Sequence, residues 1–173
     1  MAISTSTILK TYFNTGDQPT QTHFENLIDT IRKPVVDLDA STYAPTEAES
    51  GTLFTFDSTV CEVTLPTAAA GLEYRFVVDT TQGADASIKT AAGEYICGCL
   101  LTTTAAFNNT NLNANATVID AIPATTNTLT FNGTTTGGRI GSYYHIIGMK
   151  PQYWHVSGVN IGLSPGLVTC ASS

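Results

Sequence analysis

The sequence predicts a mainly β protein, an antiparallel β-sandwich or jelly-roll-like domain preceded by an extended N-terminal arm and one short α-helix. Two observations carry this reading. From Gly51 onward the 173-residue chain is a succession of short runs rich in Thr, Val, Ile, Tyr and Phe, separated by Gly, Asn and Pro. Upstream of Gly51 a single segment has helical periodicity. A third observation concerns the surface: charged residues make up 12 % of the chain, about half the ~25 % of an average soluble domain, and 30 Thr, 11 Ser and 14 Gly stand in their place.

The helix is read from Thr20 to Ile31, where Phe24, Leu27, Ile28 and Ile31 recur at i, i+3, i+4 and i+7 and form one apolar stripe. Thr20, after Pro19, is placed to cap it, and Thr22 with Glu25 forms a competing capping box. Asp17 and Glu25 lie near the positive end of the helix dipole, and Arg32 and Lys33 precede the terminating Pro34. A helix of roughly 12 residues is marginal alone, so the stripe must dock on its own chain or on a neighbour.

Residues 34–50 lack either period and read as an extended connector. The candidate strands are Thr52 to Phe56, Cys61 to Leu65, Glu73 to Thr80, Ala86 to Thr90, Tyr95 to Thr102, Ala116 to Ala121, Thr128 to Asn132, Gly141 to Gly148 and Tyr153 to Gly158. Two hairpins are expected, one from Ser142 to Val156 turning at Pro151 and one from Ile88 to Ile96 turning through Ala91-Ala92-Gly93. Thr102 to Thr117 reads as a long polar loop. No repeat of 20 to 50 residues and no heptad run is visible. The division of labour is drawn as residues 1–45, arm and helix, and residues 46–173, the β domain.

Charge excludes some partners. With 14 acidic against 7 scattered basic residues and a net charge of −7, no basic stripe exists to neutralise phosphates, so neither nucleic acid nor an anionic membrane surface is expected as a partner. No stretch approaches the ~18 to 20 continuous apolar residues of a membrane span. The start, Met1 to Thr7, has neither a basic n-region nor an apolar h-region, which predicts a protein made and used without Sec export. The sequons at Asn108, Asn115 and Asn132 match chance in so Thr-rich a chain. Cys61, Cys97, Cys99 and Cys170 are expected as reduced thiols acting as small hydrophobes.

No motif carries catalytic chemistry. His23, His145 and His155 lack zinc-site spacing; His145 and His155 approach across the expected hairpin, but no third ligand is indicated. Cys97-Gly98-Cys99 puts two thiols on one strand face without the spacing of a knuckle or redox site. Gly137-Gly138-Arg139-Ile140-Gly141 has no following Lys-Ser/Thr or helix and reads as a bend before a strand. Asp37-Leu38-Asp39 lacks the remaining oxygen ligands of a calcium loop, and no Gly-x-Ser-x-Gly elbow occurs. No enzymatic activity, metal or cofactor is expected.

The segment Leu9-Lys10-Thr11-Tyr12-Phe13-Asn14-Thr15-Gly16-Asp17-Gln18-Pro19-Thr20, followed by Phe24 and Leu27-Ile28-Asp29-Thr30, resembles a segment of tailed-phage virion proteins. Val63 to Val78, with Leu65-Pro66, a run of small residues, Gly71 and an aromatic strand, is similar to phage head-decoration and fibre-like β domains. Ala92 to Ile96, Asn127 to Phe131 and Tyr153 to Gly158 fall where that family places later strands and its terminal Trp-containing strand. The resemblance implies a virion structural protein without enzymatic activity, typically a trimer. Low charge and many strand edges independently favour a domain covered by copies of itself.

Two roles follow from it. As a capsid decoration or cement protein, a homotrimer on the outer surface of the capsid would bind and stabilise the major capsid protein shell, having assembled in the cytoplasm of the host bacterium. As a tail fibre or tail-adaptor component, the same segment would dock on a tail or baseplate protein. The short chain without a shaft repeat favours decoration. A third reading is a glycan-binding β domain, with Trp154, Tyr153 and Tyr143 as stacking residues. The candidate partner-binding residues are Phe13, Asp17, Phe24, Leu27, Ile28 and Ile31.

Overall fold

Helix formation follows the apolar stripe. The computed structural model of the chain describes residues 11, 18–31, 35–57, 60–104, 114–119, 127–162 and 169–171, and in it α1 spans Gln21–Ile31. Thr20 closes its first turn: the hydroxyl accepts the His23 N–H (3.4 Å), and the Thr20 N–H donates to His23 Nδ1 (3.2 Å). A histidine thus stands where a capping box normally has Glu or Gln. Thr22 lies inside the helix, and Glu25 Oε1 accepts from Gln21 Nε2 at 2.7 Å.

Among the described residues twelve strands follow: β1 (Val35–Leu38), β2 (Thr42–Tyr43), β3 (Leu53–Phe56), β4 (Glu62–Thr64), β5 (Glu73–Val78), β6 (Ala86–Lys89), β7 (Tyr95–Thr104), β8 (Ala114–Ile119), β9 (Thr128–Phe131), β10 (Tyr143–Lys150), β11 (Tyr153–Gly162) and β12 (Thr169–Ala171). They form a seven-stranded sheet in the order β1-β3-β5-β10-β11-β7-β8 and a five-stranded sheet in the order β12-β9-β6-β4-β2. From β1 to β6 the chain alternates between the sheets, and each strand from β3 on lies parallel to the strand two before it. Val35 pairs with Leu53 and Leu53 with Arg75, so each coil takes about 20 residues, as in solenoid repeats. No sequence repeat marks these coils; what recurs is an inward side chain, as in the column Leu38–Phe56–Val78.

Inward residues of both sheets meet in one core. Phe56 of β3 packs edge-on against Phe131 of β9 (centroids 5.0 Å), and Phe131 stacks on Tyr144 of β10 (5.0 Å). Tyr43 of β2 reaches Phe54 of β3 (5.5 Å), and Tyr74 packs on Trp154 (5.8 Å). All of these rings but the half-buried Tyr43 are fully buried, and each buried one contributes on the order of 1.5 to 3 kcal/mol. Gly98 and Gly158 occupy inward positions of β7 and β11 with φ of 141° and 151°. A Cβ there would stand 1.9 Å from the Val156 carbonyl and 2.0 Å from the Tyr143 carbonyl, so only glycine fits.

Buried polar groups tie the loops down. Glu94, 4 % exposed, accepts the Ala68 N–H (2.8 Å) and the Trp154 indole N–H (3.0 Å). Asn160 Oδ1 accepts from the Tyr144 hydroxyl (2.7 Å) and the Gly138 N–H (3.0 Å), and its Nδ2 donates to the Thr136 carbonyl (3.1 Å). In the 3₁₀ turn Glu47–Glu49, the Glu49 carboxylate accepts from Thr46 N–H (2.7 Å) and the Tyr43 hydroxyl (2.6 Å). Burial alone would raise the Glu49 carboxyl, but these bonds outweigh it and hold it below its ordinary value; burial and Glu49 push Tyr43 up to about 12.

Several expectations need correction. The pairing is mixed, not wholly antiparallel, since β7 and β11 are also parallel. Ile88 to Ile96 is not a hairpin: β6 pairs with β4 and β9 in one sheet, and β7 with β11 and β8 in the other, so the turn at Gly93 carries the chain between sheets. The expected connector 34–50 contains β1 and β2, with Leu38 1 % exposed, so a boundary at 45/46 cuts through both sheets. The expected loop from Thr102 to Thr117 is partly strand, because β7 runs on to Thr104 and Thr103 pairs with Ala114 of β8; residues 105–113 lie outside the described residues. The Ser142 to Val156 hairpin forms as expected, as β10 and β11.

Glu94→Ala would orphan two buried donors at ~1 to 3 kcal/mol each, so urea unfolding should show a loss of about 3 kcal/mol, and Glu94→Gln, which keeps one acceptor, a smaller one. Cys61 and Cys99 are in no disulfide, and burial, with the carboxylates of Asp57, Glu62 and Asp39, pushes Cys61 up to about 11. Reductant is therefore expected to leave Tm unchanged, whereas a lost disulfide would cost ~2 to 4 kcal/mol and several degrees.

Candidate interaction surface

Of the six candidate binding residues, α1 brings Phe24, Leu27 and Ile28 onto one face. Phe24 is 49 % and Ile28 62 % exposed, while Leu27 is half-buried. Ile31 closes the helix, and its side chain lies outside what the structure describes. Phe13 and Asp17 lie outside the described residues, as do Arg32 to Pro34.

A second surface is the outer face of the seven-stranded sheet, which the sequence reading missed. Strand alternation turns Glu73, Arg75 and Val77 of β5, Tyr143, His145 and Ile147 of β10, and Tyr153, His155, Ser157, Val159 and Ile161 of β11 away from the core. Pairing aligns them in rows. One runs Thr55–Val77–Tyr143–Val159–Leu101 across five strands, with Leu101 39 % exposed. Another runs Val35–Leu53–Arg75–His145–Ser157–Cys99, with Val35 59 % exposed at the edge. A solvated sheet face normally alternates to Thr, Lys and Glu. Here apolar and aromatic side chains interrupt that pattern.

The charges on this face are paired locally. Glu73 Oε1 accepts from Arg75 Nε (2.7 Å) and lies 3.1 Å from His145 Nε2. Arg75 holds the Glu73 carboxyl below its ordinary value, against a smaller upward push from burial and with help from His145; Glu73 in turn raises Arg75. Asp37 accepts the Thr55 hydroxyl, and Lys150 Nζ sits 4.5 Å from the centre of the Tyr153 ring.

Donor chemistry is sparse. Cys97 and Cys99 share the outer face, as their spacing predicts; Cys97 donates to the Trp154 carbonyl (3.3 Å), and Cys99 is exposed. His155 pairs in register with Cys97, while His145 contacts Glu73. Among the described residues no group of three His, Cys, Asp or Glu could hold a metal ion, and no helix is long and apolar enough to cross a membrane. Trp154 is fully buried and hydrogen-bonded to Glu94, so it is core and not a sugar-stacking residue; Tyr143 and Tyr153 are half-buried on the outer face. The glycines at Gly137, Gly138 and Gly141 (φ 85°, 82° and 89°) make the expected bend before β10.

No protein-family model, no curated protein and no solved structure matches the chain.

The Glu73 carboxyl is lowered in the folded protein from 4.5, so its contribution is complete above about pH 4.5 and is lost as pH falls through the lower folded value. Urea titrations should show stability declining below pH 4.5, and Glu73→Gln should flatten part of that decline.

Proposed function

We propose that the chain is a non-enzymatic structural protein of a tailed-phage particle, a capsid decoration protein that binds the major capsid protein shell as a homotrimer. The observation that carries this reading is where apolar side chains are exposed. Phe24 and Ile28 of α1 are 49 % and 62 % exposed, in the segment that resembles phage virion proteins. The attachment device is accordingly residues 1 to about 34, shorter than the 1–45 read from sequence, because β1 and β2 belong to the sheets. The β domain is read as a sandwich-like body, which the Phe56–Phe131 and Phe131–Tyr144 contacts between sheets support.

An exposed aliphatic side chain contributes little to monomer stability but on the order of 1.5 to 3 kcal/mol when a partner buries it. Ile28→Asp is therefore expected to strip the protein from particles while Tm stays unchanged, measured by copy number per particle in a mass-spectrometric inventory. Unchanged occupancy would remove the helix from the attachment role. A few copies per particle, recovered with tails, would favour the tail-adaptor reading. Light scattering that finds a monomer at micromolar concentration would remove the trimer.

A further inference from the structure

We infer that copies of the chain meet through the outer face of the seven-stranded sheet, centred on Tyr143, Val159 and Leu101. The inference rests on the reading that the protein self-associates and adds the surface by which it does so. β10 is the middle strand of seven, so Tyr143, its first residue, lies midway across the sheet, flanked in register by Val77 on one side and by Val159 and Leu101 on the other. Val77, Tyr143 and Val159 are half-buried and Leu101 is 39 % exposed, and an apolar row of this kind on an outer sheet face, where polar residues normally alternate in, is surface that a partner can cover.

Charge selects a second copy as the occupant. The whole chain carries 14 acidic and 7 basic side chains, yet on this face two acids, Asp37 and Glu73, are balanced by Arg75 and Lys150. Two molecules of net charge −7 repel over most of their surfaces. They can approach where the local charge cancels. A basic partner would gain more from the acidic remainder of the surface. Size permits it: seven strands at ~4.8 Å spacing and strand lengths near 20 Å give a face on the order of 600 Å², so two copies that cover the whole face bury about 1,200 Å², the lower limit of a stable interface.

The test uses the full chain. Val159→Lys with Leu101→Glu places an opposite-charge pair on neighbouring strands, preserves net charge and replaces the apolar centre. Light scattering should report an oligomer for the wild type and a monomer for the variant, with the near-ultraviolet signal of buried Trp154 retained. Cys99 provides a readout without substitution. Maleimide labelling of Cys99, followed by peptide mass spectrometry, should be at least tenfold slower in the wild-type oligomer than after dilution to monomer. A wild type that is monomeric at micromolar concentration overturns the self-association reading and this inference together. An oligomeric wild type whose variant stays oligomeric, or whose Cys99 labels equally fast in both states, overturns the inference alone. Should the variant unfold, the Cys99 rates decide.

Discussion

Parallel register between β1, β3 and β5 is the constraint on which the rest of the structure depends. It stacks Leu38, Phe56 and Val78 in one inward column and Phe54 on Phe76 in the next, at a ring separation of 5.3 Å. A slip of one residue would turn every one of these side chains to the opposite face. The core therefore fixes register, and register fixes which residues face outward. Val77, Tyr143, Val159 and Leu101 form a row because Phe76, Tyr144, Gly158 and Leu100 must point in.

The two glycines of that inner layer show how tightly the strands are drawn together. At Gly98 and Gly158 the neighbouring carbonyl occupies the space a Cβ would need. In sequence, Cys97-Gly98-Cys99 draws attention to its thiols, yet the thiols simply face outward. The residue that the fold requires is the glycine between them.

What was legible in the sequence is what depends on local pattern. Nine strands and the helix appear where their apolar periodicity places them, since alternation and the 3.6 period are properties of a few neighbouring residues. Partner choice was not legible. The turn through Gly93 looks the same whether the chain returns in one sheet or crosses to the other, and parallel coils whose crossovers are strands leave no helical spacer to announce them. β1 breaks the alternation, because apolar Val35 is exposed beside half-buried Val36, and β2 has only two residues, so neither shows a period. Glu94 was invisible for a different reason. A buried carboxylate is recognisable only by its partners, and Ala68 and Trp154 lie 26 and 60 residues away in sequence. Of the candidate site, the stripe of α1 was readable, but the outer sheet face exists only once β5, β10, β11 and β7 are side by side.

The two surfaces are not mechanically independent. α1 ends at Ile31 and β1 begins at Val35; four residue steps of at most ~3.6 Å each keep the helix end within about 14 Å of the sheet edge. Val35 is itself the first outward residue of the row that reaches Arg75, His145 and Cys99. A partner that seats α1 is thus brought to the β1 margin of the outer face, and a second copy covering that face passes close to the helix. Attachment and self-association, if both use these surfaces, are coupled through a connection too short to let either proceed without constraining where the other can occur.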